Sequence, residues 1–154
     1  ATGESLGVLV GSSAWASGLG ITRGAERVMC ISSNFTVLVW DGTSGRLLWL
    51  VSYTSRFLRL APFPGSDRFV ATSASGAAIV SASSGKTLQA WADDAGAPIH
   101  VAVSPSGAAV TICSERRLAS WDAATGRLLK AARRRPHRAH SSGDTSPGTP
   151  RCLA

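Results

Sequence analysis

Charge is scarce in this chain. Asp, Glu, Lys and Arg make up only 16% of its 154 residues, against a usual share of about 25%. With 44% hydrophobic residues, that shortage excludes a chain disordered throughout and a long coiled coil. Acidic residues are the scarcer kind: nine face sixteen Lys and Arg, for a net charge of +7. The excess is unevenly placed. Residues 133–154 hold Arg133, Arg134, Arg135, Arg138 and Arg151 against Asp144 alone. The basicity therefore belongs mostly to the tail and does not mark the remainder as a nucleic-acid-binding domain. Long apolar runs are missing as well. The longest uncharged stretches, Phe69 to Gly85 and Ala95 to Ser114, are broken by Ser, Thr, Gly or Pro, so no membrane contact is expected. The apolar segment from Leu6 to Gly11 is too short for a secretory signal and has no basic stretch before it.

Cysteine is also sparse. Cys30, Cys113 and Cys152 cannot all pair, and they show neither CxxC spacing nor a histidine at zinc-ligand distance. The expected arrangement is two free thiols buried on strands and one in the tail, in a reducing intracellular compartment, cytoplasmic or nuclear. In such a compartment the Asn34-Phe35-Thr36 sequon is only a turn leading into a strand.

What the chain has is glycine, 16 in all, with abundant Ser, Thr and Val, which favours strands and turns. These residues recur. Arg27 to Ser33 followed by Phe35 to Leu48 superimposes on Arg68 to Ala74 followed by Ala77 to Leu88, and on Ala109 to Ser114 followed by Arg117 to Leu129. Gly45, Gly85 and Gly126 stand 40 and 41 residues apart. Each precedes a cation (Arg46, Lys86, Arg127), and a leucine follows two residues later (Leu48, Leu88, Leu129). Within each repeat a strand leads through a polar turn to a second strand ending in Trp40-Asp41, Val80-Ser81 or Trp121-Asp122. A tight turn then needs glycine for its positive φ, and a third strand starts at the cation. Phe57 to Ala61 and Ile99 to Val103 supply one more candidate strand ahead of the second and third repeats, each leading into a Pro/Gly turn. The pattern is four short strands per 40 residues or so.

Trp40-Asp41, Trp121-Asp122, the Ser44-Gly45 and Thr125-Gly126 turns and Val103-Ser-Pro-Ser-Gly107 resemble the WD40 family of β-propellers. The resemblance covers roughly residues 14 to 132. It implies an all-β fold: an incomplete propeller of three four-stranded antiparallel blades, near residues 14–52, 53–93 and 94–132; the low hydrophobicity and the Pro, Ser and Gly of the basic tail over 133–154 predict disorder there. The family's Gly-His dipeptide is absent, and its turn aspartate is missing, with Asn34, Ser75 and Glu115 nearby. Asp41 to Trp49 also resembles the Gly-Lys-x-x-Trp repeat of quinoprotein-type propellers, an alternative that implies an oxidoreductase fragment.

Chemistry is harder to find. Ser84-Gly-Lys-Thr87 lacks the first glycine of a phosphate loop, since Val80 stands there. Gly18 to Gly24 misses the dinucleotide fingerprint at Arg23. Ser83-x-x-Lys86 falls in a repeated hairpin turn. His137 and His140 lie in the tail, and His100 is expected on a strand, lining the core or facing solvent. Asp93 and Asp94 are expected as a solvated turn. No catalytic residue, metal ligand or cofactor is assigned, and the chain is not expected to be an enzyme. Core packing accounts for Trp40 and Trp121. Trp49 and Trp91 are expected half-exposed on outer strands, and Trp15 is unplaced.

A WD40-like fold implies a protein-interaction scaffold acting through loops. The candidate contacts are Thr54, Arg56, Asp93, Asp94, Arg116 and Arg117. The run Arg133, Arg134, Arg135 and Arg138 is a candidate nuclear-localisation or nucleic-acid contact. Ser146 and Thr149, each before proline, are candidate phosphorylation sites. A seven-bladed ring needs roughly 280 to 315 residues, so three blades and a stray strand near Leu6 to Val10 cannot close one. The chain is therefore expected to be a fragment, a truncated isoform or one part of a ring completed by another chain.

Overall fold

The computed structural model describes residues 7–11, 14–22, 24, 26–53 and 59–133. Twelve strands follow in chain order: β1 Ala16–Ile21, β2 Arg27–Ser32, β3 Thr36–Asp41, β4 Leu47–Ser52, β5 Arg59–Pro62, β6 Arg68–Ser73, β7 Gly76–Ser81, β8 Thr87–Ala92, β9 Pro98–Val103, β10 Ala109–Ser114, β11 Arg117–Asp122 and β12 Leu128–Arg133. They form three antiparallel four-stranded meanders, β1 to β4, β5 to β8 and β9 to β12, each strand paired to its sequence neighbour. These are three propeller blades. Among the described residues no helix is long and apolar enough to cross a membrane.

The blades pack face to face, and the core lies between them. Met29, Ile31, Val37 and Val39 of the first blade meet Phe69, Ala71, Val80 and Ala82 of the second. Phe63, Val70, Ala77 and Ile79 of the second meet Val110, Ile112, Ala119 and Trp121 of the third. A central strand buried on both sides reads as a continuous apolar run rather than an alternation, which explains Val37-Leu-Val-Trp40. Fully burying one side chain of the size of Phe69 contributes about 1.5 to 3 kcal/mol.

In the first and third blades the hairpin after the third strand is closed by its own aspartate. Asp41 Oδ1 accepts from the Thr43 and Ser44 amides at 3.2 and 2.9 Å and from Ser44 Oγ at 2.9 Å. Asp122 Oδ1 accepts from the Ala124 and Thr125 amides at 3.1 and 2.8 Å and from Thr125 Oγ1 at 2.7 Å. The glycines that follow sit at φ 69°, 69° and 68°. In the middle blade, Ser81 replaces the aspartate, and Asp67 reaches in from the β5–β6 turn instead. Its Oδ2 accepts from the Ser83 amide at 3.1 Å and from Ser83 Oγ at 2.6 Å. At the opposite end of the blades a serine closing each second strand repeats every 41 residues. Ser32, Ser73 and Ser114 donate to the carbonyls of Thr36, Gly76 and Arg117 at 3.1, 3.4 and 3.0 Å. These hydroxyls close the turns that lack the family's aspartate.

Two elements differ from expectation. Residues 7–11 form no strand; they lie along the first blade, where the Val10 carbonyl accepts from Trp40 Nε1 at 2.9 Å. The inner strand of that blade is β1, Ala-Ser-Gly-Leu-Gly-Ile, whose two glycines hide it from any apolar periodicity. At Gly20 a Cβ would lie 3.0 Å from Leu60 Cδ1 and from Met29 Cγ, so a side chain there would have to displace both of those side chains.

Candidate interaction surface

Strand direction brings the β8–β9 loop and the β10–β11 turn to one end of the propeller. The loop docks on the turn through its backbone: the Glu115 amide donates to Ala97 O at 3.2 Å and the Arg116 amide to Ala95 O at 3.4 Å. The Asp93 side chain is only 8% exposed. Its Oδ1 accepts from the Ala95 amide at 3.0 Å and is ion-paired with Arg117 Nη2. Arg117 lies over the Trp121 ring at 5.7 Å, with Asp94 3.8 Å from its Nη2 on the solvent side. Trp121 in turn packs against Trp91, centroids 6.2 Å apart.

Two of the residues expected as contacts, Asp93 and Arg117, thus form a part-buried pair that ties the loop to β11. Arg117 is the first residue of β11 rather than a loop residue. Asp94 and Arg116 are exposed, and exposed Glu115 joins them. Thr54 and Arg56 lie outside the described residues. At the same end Arg59 Nε of β5 donates to Ile99 O of β9 at 2.9 Å, tying the second blade to the third. Register places Arg133, the last residue of β12 and the first of the arginine run, beside Arg117. Arg134, Arg135, Arg138, Ser146, Thr149 and Cys152 lie outside the described residues.

The opposite end has its own ion pairs. Arg27 Nη1 lies 2.9 Å from Asp41 Oδ2 and Arg27 Nε 3.8 Å from Asp67 Oδ1, which links the first two blades. Hydrogen bonds from the Ser44 amide and hydroxyl hold the Asp41 carboxyl below its usual range, with smaller help from Thr43 and Arg27. Bonds from the Thr125 hydroxyl and amide, then Ala124 and Arg127, do the same for Asp122. These carboxylates are committed to turns.

A cleft of about 320 Å³ lies beside Tyr53, Thr72, Ser73, Ser75 and Trp91. It offers hydroxyls, with desolvation pushing the Tyr53 phenol up. Among the described residues no cluster of His, Cys, Asp and Glu is arranged to hold a metal ion. His100 faces solvent on β9. Cys30 is buried and Cys113 half-buried, both free, and desolvation raises the Cys30 thiol. Trp49 and Trp91 are half-exposed on the outer strands, as their positions in the repeat imply, and Trp15 is 87% exposed.

No protein-family model matches the chain, and no curated protein does. Solved structures do. U3-55K superimposes with a TM-score of 0.73 at 16% identity over 80% of this chain and 41% of that one. The RRP9 WD40 repeats superimpose with a TM-score of 0.72 at 17% identity over 80% and 40%. The computationally designed Ika4 protein superimposes with a TM-score of 0.72 at 21% identity over 84% and 79%. The likeness shows the fold: three consecutive blades of a WD40-type β-propeller. The chain spans about two-fifths of the two natural propellers, whose coverage is 41% and 40%.

Proposed function

We propose that the chain is a non-enzymatic, intracellular protein-interaction scaffold, part of a longer WD40-type propeller or of one completed by another chain. One observation carries this reading. The part-buried Asp93–Arg117 pair fixes the β8–β9 loop, beside which Asp94, Glu115 and Arg116 are exposed. Rigidly held, solvent-facing charges of both signs suit selective docking more than raw affinity. Charge reversal at this end tests it. In affinity capture from cell extract, Asp94→Lys with Arg116→Glu loses partners that the parent chain retains. Lys86→Glu at the opposite end retains them. Equal capture by all three chains overturns the reading.

A second reading rests on the arginine run, which starts from the last residue of a strand beside that cluster. There it is anchored for contact with nucleic-acid phosphates. Affinity for a single-stranded RNA is then expected to fall steeply with salt and to vanish when residues 134–154 are removed. Binding unchanged by that removal overturns it.

A further inference from the structure

The two seams between blades use the same register positions but fill them differently. At the second seam, Val110, Ile112, Ala119 and Trp121 of the third blade pack against Trp91 from the outer strand of the second. At the first seam, the matching positions of the second blade hold Phe69, Ala71, Ala78 and Val80. Trp91 pairs with Ala77 and Val51 with Val37. Val51 therefore stands at the first seam where Trp91 stands at the second.

The bulk of the first seam is gathered near the hairpin turn. Phe69 stacks on Trp49, centroids 6.1 Å apart, and a Cβ on Gly85 would lie 3.2 Å from the Trp49 ring. Further along the strands the side chains are smaller: Ala71 replaces Ile112, and Val51 replaces Trp91. The result is visible in exposure. Ala119 is 1% exposed beneath the second seam, whereas Ala78, its counterpart, is only half-buried and Val51 is 40% exposed. Protein interiors leave few voids larger than a water molecule, so missing bulk of this size opens a cleft. It is the cleft of about 320 Å³ beside Tyr53.

Its lining sets the chemistry of an occupant. Ala71, Ala78 and Ala90, cross-strand neighbours in one row, supply the apolar wall. Tyr53 of the first blade stands against them, held by its amide, which donates to Phe35 O at 3.0 Å. Ser73 and Ser75, their hydroxyl oxygens 3.0 Å apart, give the cleft a polar end. No residue that lines it is charged. An ionised ligand would give up hydration there without finding an ion partner. An apolar pocket with a few polar groups at one end is the usual form of a small-molecule site, and the volume lies at the lower end of the usual range.

We infer that this cleft binds a small neutral molecule built on a planar aromatic ring system of indole size, with its polar edge toward the serine hydroxyls. The second seam supplies the measure, since an indole ring stands there at the register position that Val51 leaves short. Both walls belong to blades of this chain, so the site needs no further blade. It is separate from the Asp94–Arg116 end and stands whether or not that end binds proteins.

The probe is 5-fluoroindole, titrated into the full chain and followed by fluorine NMR. Binding is expected to saturate with a dissociation constant of roughly 1 mM or tighter. Nuclear Overhauser contacts should run from the ring protons to the methyl groups of Ala71, Ala78 and Ala90. The anion 5-fluoroindole-3-acetate should bind roughly tenfold or more weakly. Val51→Trp supplies from within the side chain of the second seam, and should abolish binding in a chain that still melts cooperatively. If it does not melt cooperatively, Ala78→Leu, which copies Leu38 of the first blade, serves instead. Leu129→Trp adds an indole on exposed β12 and should leave binding unchanged. No saturation at roughly ten times the expected constant overturns the inference. So do contacts to none of the three methyl groups, equal affinity for the anion, or binding indifferent to the filled cleft. Binding that emerges only in Phe57→Ala also overturns it, because an aromatic residue of the chain itself then takes the place.

Discussion

Asp41 and Asp122 show how one side chain fixes a turn, and they make the molecule sensitive to acid. Each accepts two backbone and one hydroxyl bond as a carboxylate, and those bonds lower its pKa in the folded state. The unfolded chain has no such turn, so its aspartates titrate near the ordinary value of about 3.9. Between the two values the unfolded state binds more protons, and stability therefore rises with pH. The contribution is complete at neutral pH and is lost as pH falls from about 4 through the lower folded value. Urea unfolding between acid and neutral pH should show Asp41→Asn and Asp122→Asn less stable than the parent at neutral pH. The difference should shrink as pH drops; a constant difference contradicts this account. The following glycine makes a second residue-scale prediction. Gly85 has φ 69° and its Cβ position lies 3.2 Å from the Trp49 ring. Gly85→Ala should cost about 1 to 2 kcal/mol from backbone strain, seen as a lower denaturation midpoint with an unchanged slope.

The Trp-Asp pairs and turn glycines were legible in the sequence because their effect is local: four consecutive residues make the hydrogen bonds. Asp67 was not, because it substitutes for Ser81 from 14 residues away across a neighbouring turn. The serines Ser32, Ser73 and Ser114 were present in the aligned repeats, but nothing in spacing alone says that a hydroxyl closes a turn. The pairing of Asp93 with Arg117, 24 residues apart, was equally hidden. Adjacent aspartates read as a solvated turn, and only the fold buries one and exposes the other.

At the scale of elements, propensity predicts strands well where β-branched residues crowd, as in β3, and fails at β1. Two glycines and an alanine give β1 no apolar rhythm, yet the ladder to β2 and the tight approach to β5 hold it as a strand. The outer strand of the first blade is joined to the second blade by a polar contact. Trp49 Nε1 donates to Ala82 O at 2.8 Å, from the first blade to the turn of the second. Trp49→Phe keeps an aromatic ring against Phe69, which lies 6.1 Å from the indole centroid, and removes the donor with part of the ring. It should cost about 1 kcal/mol in equilibrium unfolding; Trp49→Leu, which also loses the stacking, should cost more. The ion pair behaves differently. Removing the Asp93 carboxylate leaves the part-buried Arg117 guanidinium only the exposed Asp94 at 3.8 Å, and breaking a part-buried pair from one side costs more than breaking an exposed one. Asp93→Asn should therefore destabilise more than Asp94→Asn, and limited proteolysis should cut the β8–β9 loop faster in the first variant only.

For the whole molecule, a stack of blades has nearest-neighbour energetics: each blade is held by its own ladders and by the one or two faces it shares. The first blade's one contact with the second rests on Phe69, fully buried between Met29, Ile31, Val37 and Val39. The third blade's contact uses the other side of the same sheet, through Val70, Ala77 and Ile79. Phe69→Ala should remove about 3 to 5 kcal/mol from the first contact and leave the second intact. Local opening free energies follow local contacts, so the loss should not spread evenly. Hydrogen exchange should show the amides of β2 and β3 losing protection by several orders of magnitude, while those of β10 and β11 keep theirs. The reciprocal variant, Ile79→Ala, should reverse the pattern, with β10 and β11 opening first. If both variants lower protection equally in all three sheets, the blades unfold as one cooperative unit and nearest-neighbour stacking does not describe this chain.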